Sequence, residues 1–206
     1  MSRNKTKSNR QLIAMLIAGA VSLAIMVEYV RLIEPAAARE IKAACRGLRP
    51  AESNPNFGAI PSSQPVDFRA QAHDGRMVSL SDYRGKVVFV NFWATWCNVC
   101  KTEKPGLEEM VSELEGDDFV VLTLASNPTW DDIRKYYPNG SPLRILLDPP
   151  QGEDNLGVIA KSYGITAVPE SFVIDRDGRI RYYFINKRDW NSGVAQTCLR
   201  AMIDES

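Results

Sequence analysis

Cysteine is where the chemistry of this chain must be sought. Its 206 residues hold four Cys and one His, which leaves little material for a His-rich metal centre or a Ser-His-Asp triad. Two of the cysteines stand three apart in Trp96-Cys97-Asn98-Val99-Cys100. Three residues is just under one helical turn, a spacing that lets two sulfurs bond where a helix begins. A thiol at such a start faces unpaired N–H groups and the positive end of the helix dipole, which favour the thiolate. Cys97 is the expected nucleophile and Cys100, one turn deeper, the resolving thiol. Cys97 attacks a disulfide; Cys100 then attacks the Cys97 sulfur and releases the reduced product. The competing uses are an inert pair or half a zinc site. Zinc asks for four ligands, and the remaining candidates, Cys45, Cys198 and His73, include no second close pair. No metal is expected. Glu103 follows Cys100 by three residues, on a nearby face of the same helix. Buried, its carboxyl would be pushed up toward a proton-exchanging range. Solvated, it would be an ordinary first-turn acid.

For Cys97 to sit at a helix start, a strand must end just before it. Val87–Trp93, VVFVNFW, is a β-branched and aromatic run of central-strand type. Lys101–Leu114 carries Leu107, Met110, Val111 and Leu114 at helical spacing. Asp67–Ala72 and Arg76–Leu80 flank Asp74-Gly75, a hairpin signal. Phe119–Ala125 reads as a second buried strand, Asn127–Tyr137 as a helix opened by Asn-Pro, Leu143–Leu147 as a short strand and Asn155–Tyr163 as a helix. Ser171–Asp175 and Ile180–Phe184 flank a second turn at Asp177-Gly178, and Ser192–Ile203 closes as a helix. Strand–helix alternation ending in a hairpin and a helix predicts an α/β fold, a central mixed sheet flanked by helices. Composition agrees: 45% of residues are hydrophobic and 24% charged, too apolar for a disordered chain. The 25 basic residues balance 25 acidic ones, so nothing supports a partner bound by neutralising nucleic-acid phosphates.

The amino-terminal third is organised differently. Residues 1–11 are a basic leader with Arg3, Lys5, Lys7 and Arg10. Residues 12–27 carry no charge, and the stretch 12–33 would span about 33 Å as a helix, enough for a hydrocarbon core. Glu28 and Arg31 fall at i, i+3 near its far end. Three readings stay open: a transmembrane anchor, a cleaved signal peptide and a buried core helix. The basic leader favours an inside amino terminus, although Arg31, Arg39, Lys42 and Arg46 follow the run. Residues 34–65 read as a linker, rich in Pro, Gly, Ser and Asn from Gly47 onward. The folded body runs over 66–206.

Two segments resemble one known family. NFWATWCNVCKTEKP and GITAVPESFVIDRDGRI are similar to the two signatures of TlpA/ResA-like, membrane-anchored thioredoxin-fold proteins, in the same order and over roughly residues 65–200. The resemblance implies a thioredoxin fold with an added N-terminal β-hairpin and an insertion before the later helix. It implies that Pro169 is a cis-proline facing the pair, with Val168 backbone groups available to an extended substrate. It makes Glu103 a group for thiol proton transfer, since Asn91 stands where ordinary thioredoxins place a buried Asp. Pro105 falls at an offset where such proteins carry a helical Pro. Glu170 is implicated in partner choice and Trp96 in substrate contact, against plain readings of a solvated acid and a partly buried aromatic. The implied activity is that of a thiol–disulfide oxidoreductase with no cofactor beyond its own Cys97–Cys100 disulfide, reducing protein disulfides such as those of apocytochrome c or another envelope client. It would draw on an upstream membrane or envelope donor. The implied location is the inner membrane, single-pass, with the body facing the periplasm or cell exterior. Two alternatives belong to other classes: a thioredoxin-fold binding or assembly module without turnover, and a Sco-type copper-delivery protein. The latter uses a three-residue gap between its cysteines and a distal His.

Cys45 precedes the linker and Cys198 lies in the last predicted helix. Outside the cytoplasm two free thiols are unusual, so a structural disulfide between them is expected. Two unpaired thiols, or an intermolecular link through Cys45, are the alternatives.

Overall fold

The computed structural model describes residues 3–48, 64–116, 118–152 and 154–204. The chain divides into two units, Met1–Ala43 and Ala44–Ser206. The first is one helix, α1 (Arg3–Gly47), whose last residues already belong to the second unit. Within it Ile13–Arg31, 19 residues, is long and apolar enough to cross a membrane, and none of that stretch is buried. Glu28 and Arg31 pair at 3.1 Å, as their spacing predicts. The helix does not stop where the apolar run does. Residues 34–47, read from sequence as linker, are helical; their alanines, 36–38, 43 and 44, are the best of helix formers. Of the rest of that predicted linker, residues 49–63 lie outside the described residues.

The second unit is built on a seven-stranded sheet. Its strands are β1 (Arg69–Ala72), β2 (Met77–Ser79), β3 (Val87–Trp93), β4 (Phe119–Ala125), β5 (Arg144–Leu147), β6 (Glu170–Ile174) and β7 (Ile180–Ile185), in the order β2-β1-β5-β4-β3-β6-β7. β3, β4 and β5 run parallel, while β6 and β7 at one side and β1 and β2 at the other are antiparallel. β3 and β4 are buried along their whole length, which is why both read from sequence as unbroken apolar runs. The hairpins turn at Gly75 (φ +83°) and Gly178 (φ +78°), a left-handed backbone that glycine adopts without penalty.

Successive residues of β3 point to opposite faces. Val88, Val90 and Phe92 join Leu122, Leu124, Leu146 and Phe172 in one core. Phe89, on the other face, meets Trp190 with ring centroids 4.7 Å apart. Asn91 shares that second face, which is the face reached by α2 (Asn98–Leu114). α3 (Trp130–Tyr136), α4 (Val158–Ser162) and α5 (Gly193–Asp204) complete the unit.

Two helix starts differ from expectation. α3 begins at Trp130 after Thr129, not at the Asn127-Pro128 cap. The Asn127 side chain is engaged elsewhere, accepting from Thr95 N at 3.0 Å and donating to Thr95 Oγ1 at 2.6 Å. α4 begins at Val158, not at Asn155, and its first N–H groups are taken by a distant residue. Buried Asp148 accepts from Ile159 N and Ala160 N, both at 2.9 Å.

Candidate active site

β3 ends at Trp93, a turn follows, and Cys97 is the N-cap of α2. Its carbonyl accepts the first helical bond, from Lys101 N at 3.2 Å. Its sulfur accepts from Cys100 N at 3.1 Å. The sulfur thus takes the place that a capping Ser or Asp oxygen usually fills. Cys97 and Cys100 are joined, with their Cα atoms 5.3 Å apart. Cys97 is 7% exposed and Cys100 0%, so an incoming group can reach only the first sulfur. Pro105 lies inside α2, which continues through it.

Beneath the pair is a buried polar cluster. Glu103 is 2% exposed. Its Oε1 accepts from Trp190 Nε1 at 2.7 Å and from Arg188 N at 3.0 Å; its Oε2 accepts a longer bond from Asn91 Nδ2 at 3.4 Å. Burial pushes the Glu103 carboxyl up, and these donors, with nearby Lys104, pull back. Asn91 Nδ2 also donates to Ser171 Oγ at 3.0 Å, and Asn91 Oδ1 accepts from Lys104 Nζ at 3.0 Å. Lys104 is as buried as Glu103.

The opposite wall is the start of β6. The Val168–Pro169 bond is cis, and the Val168 carbonyl oxygen lies 3.5 Å from Cys97 Sγ. Glu170, paired in register with Phe92 of β3, is buried and accepts from Tyr183 Oη. Loss of water pushes its carboxyl up to about 7, against the pull of that bond. It is not the solvated acid of the plain reading. Trp96 is 47% exposed and donates from Nε1 to Ser126 O at 3.1 Å. The indole is tethered at one edge and about half exposed. His73 is exposed at the β1–β2 turn. Among the described residues no cluster of His, Cys, Asp and Glu could hold a metal ion.

The structure thus brings together Trp96, Cys97, Cys100, Glu103, Val168, Pro169 and Glu170. Cys45 and Cys198 are apart from these and joined to each other, with sulfurs 2.01 Å apart across 153 residues. Near that bond, Arg188 Nε donates to Leu48 O at 2.8 Å. Sequence reasoning missed Lys104, Ser171, Arg188 and Trp190. For Lys104 a signal was present. Stepping back from Leu107, Met110 and Val111 by three, four and seven residues lands on both 103 and 104. The last two charges of the buried stripe were there to be read. Trp190 and Arg188 come from an irregular segment whose path no periodicity encodes.

A parallel strand that delivers a Cys-x-x-Cys pair to a helix start, opposite a cis-proline heading an antiparallel strand, defines a thioredoxin-fold protein with a thiol–disulfide site. The chain belongs to the AhpC/TSA family, whose sequence model matches residues 61–183, and is a TlpA/ResA-like member of it. It is 34% identical over 107 residues to the thiol-disulfide oxidoreductase ResA of Bacillus thuringiensis subsp. konkukian (strain 97-27), covering 52% of this chain and 59% of that one. To ResA of Geobacillus thermodenitrificans (strain NG80-2) it is 31% identical over 123 residues, covering 60% and 67%. The match therefore spans less than two thirds of the Bacillus relative's length. Among solved structures, a protein described as a thiol:disulfide interchange protein DsbE, from Chlorobium tepidum, superposes with a TM-score of 0.58 at 26% identity, covering 68% of this chain and 96% of that one. The pneumococcal exposed lipoprotein thioredoxin of Streptococcus pneumoniae strain TIGR4 superposes with a TM-score of 0.53 at 28% identity, covering 66% and 98%.

Proposed function

We propose that this chain is a membrane-anchored thiol–disulfide oxidoreductase working outside the cytoplasm and reducing protein disulfides. The observation that carries the reading is the Cys97 sulfur, capping a helix and facing the Val168 carbonyl, with Cys100 sealed behind it. Reduced, the Cys97 thiolate would be favoured by the Cys100 N–H and the α2 dipole. An extended substrate segment laid along Val168 and Pro169 would present its disulfide to Cys97, in the manner of strand addition. Cys97 attacks one substrate sulfur and the other leaves as a thiolate. Cys100 then gives its proton to the Glu103 carboxylate and attacks Cys97, closing the Cys97–Cys100 bond and expelling the substrate's second sulfur. Two electrons pass to the substrate, and an upstream membrane or envelope dithiol must return them. Exposed Trp96 flanks the approach and buried Glu170 stands behind it next to Pro169, as groups that select the client, an apocytochrome c or another envelope protein. Ile13–Arg31 supplies the single-pass anchor in the inner membrane, with the body on the periplasmic or outer side, and Cys45–Cys198 is a structural disulfide.

The test is reduction of insulin with a regenerating thiol, using wild type, Cys97→Ser and Cys100→Ser. Both variants should lose turnover, and Cys100→Ser alone should accumulate a mixed disulfide with the substrate. Wild type that neither reduces insulin nor forms that adduct leaves the binding module as the better reading. Redox titration of the pair fixes the direction. A potential near those of cytosolic reductants supports a reductase, and one near DsbA, about 150 mV higher, an oxidase.

A further inference from the structure

Adjacent residues on an α-helix point about 100° apart, so two consecutive charges rarely go to the interior together. Glu103 and Lys104 both do, and one amide spans them. Asn91 Oδ1 accepts from Lys104 Nζ at 3.0 Å, and Nδ2 of the same side chain donates to Glu103 Oε2 at 3.4 Å and to Ser171 Oγ at 3.0 Å. Lys104 Nζ also lies 3.9 Å from the centre of the Trp93 ring, where the face of an indole attracts a cation. Residues 103 and 104 follow Cys100 by three and four positions, which sets both beside the Cys100 face of α2. A lysine stripped of water is costly, and an apolar residue of the same length would fill the space.

We propose that Lys104 is a positioning residue for the thiol chemistry: through the Asn91 amide it holds Glu103 as a carboxylate aimed beneath Cys100, ready for the proton that Cys100 must lose. The proposal rests on the dithiol cycle above. Burial favours the protonated form of Glu103; the Arg188 and Trp190 donors oppose that push first, and the Lys104 ammonium adds to them. The same burial drags Lys104 down to about 7, with Glu103 and Glu108 raising it again. In the resolving step the Cys100 proton passes to Glu103, the Cys100 sulfur bonds to the Cys97 sulfur, and the substrate sulfur leaves with the electron pair of the broken bond. Glu103 then gives its proton to the leaving thiolate or to water.

Other groups face the pair from each surrounding element. Glu108 is on α2 itself, and β3 presents the uncharged Asn91 and Trp93. β6 presents Ser171. α3 and its C-cap present Tyr136 and Tyr137, whose phenols burial pushes up, so they remain neutral. The segment after β7 presents Trp190 and Arg188. The Arg188 guanidinium donates to the Leu48, Asn186 and Lys187 carbonyls, its backbone N–H donates to Glu103, and its charge also interacts with that carboxylate.

The experiment uses the full chain in detergent micelles and follows release of substrate from the Cys97 mixed disulfide across pH. In Lys104→Met the midpoint of the profile should move alkaline by about one unit, a tenfold slower release at neutral pH. In the Glu103→Gln background the same substitution should move it no further. A Lys104→Met profile that coincides with wild type, or an equal shift in both backgrounds, overturns the proposal. If the variant does not fold, wild type still decides: a 13C titration of the lysine side chains in the oxidised and reduced states should give Lys104 two different midpoints, and one shared midpoint overturns it. Wild type that reduces no insulin sinks the dithiol cycle itself, an outcome distinct from an active enzyme indifferent to Lys104.

Discussion

Removing the Cys45–Cys198 bond should cost this protein more stability than removing the bond at its reactive centre. Cross-linking withdraws loop-closure entropy from the unfolded chain, and the withdrawal grows with the logarithm of the loop. For the separation of 153 residues the relation gives about 5 kcal/mol at 25 °C; for the separation of three at Cys97–Cys100 it gives about 1.6 kcal/mol. Native bonds of this kind usually deliver about 2–5 kcal/mol. Cys45 and Cys198 are both buried, so alanine, which buries no unpaired hydroxyl, is the appropriate replacement. A reductant is not, because it opens both bonds. The assay is urea unfolding of the oxidised full chain in micelles, read by the fluorescence of buried Trp93 and Trp190. Cys45→Ala/Cys198→Ala should lower the midpoint by the larger amount and steepen the slope, since a freed chain exposes more surface. Cys97→Ala/Cys100→Ala should lower it less. Equal losses in the two double variants, or no loss in the first, would refute the reasoning.

Glu170 should make stability fall with rising pH. Its folded-state carboxyl is pushed up to about 7 from 4.5 by burial, so the folded chain binds the extra proton between those values. Its contribution is full below pH 4.5 and is lost as pH climbs through 7. Glu170→Gln should therefore gain on wild type over that window, by at most about 3 kcal/mol, and parallel denaturation midpoints at pH 4.5 and 7.5 would contradict this. Asp148→Ala should lose the cap of α4, about 1–2 kcal/mol, seen as a thermal midpoint about 2–8 °C lower. Trp190→Phe keeps most of the ring but removes the 2.7 Å donor to Glu103; the remaining acid should hold its proton more tightly. The pH profile of the resolving step should shift alkaline while Cys97 alkylation is unchanged, and an unaltered profile would count against Glu103 as the base.

What could be read from the sequence follows how local each determinant is. β3 and β4 were legible to the residue because a strand buried on both faces is written as an apolar run. The cysteine pair was legible because its spacing and its place between strand and helix are both local. Helix starts were less so: α3 loses Asn127 to Thr95, and α4 takes its cap from Asp148, eleven residues ahead of Ile159. The first contact spans 32 residues, and the second joins a strand end to a helix that periodicity reads separately. Residues 34–47 misled because they lie between the apolar run and the Pro- and Gly-rich stretch and were read with the latter, while their alanines kept the helix going. Under the cysteines, Glu103 was legible through family resemblance, but its partners Trp190 and Arg188 arrive from a segment more than 80 residues away. The companion charge at 104 was legible only to a reader who extended the α2 stripe by one more turn.

The unequal exposure of the two cysteines, 7% for Cys97 and none for Cys100, reaches beyond the chemistry of one encounter. On the proposed cycle, a single doorway serves every molecule that trades electrons with this pair. Whatever refills it must stand where its customer stood, so the two cannot dock together, and each must depart before the other arrives. Turnover is bound to alternate, and flooding the protein with either visitor should shut out the other.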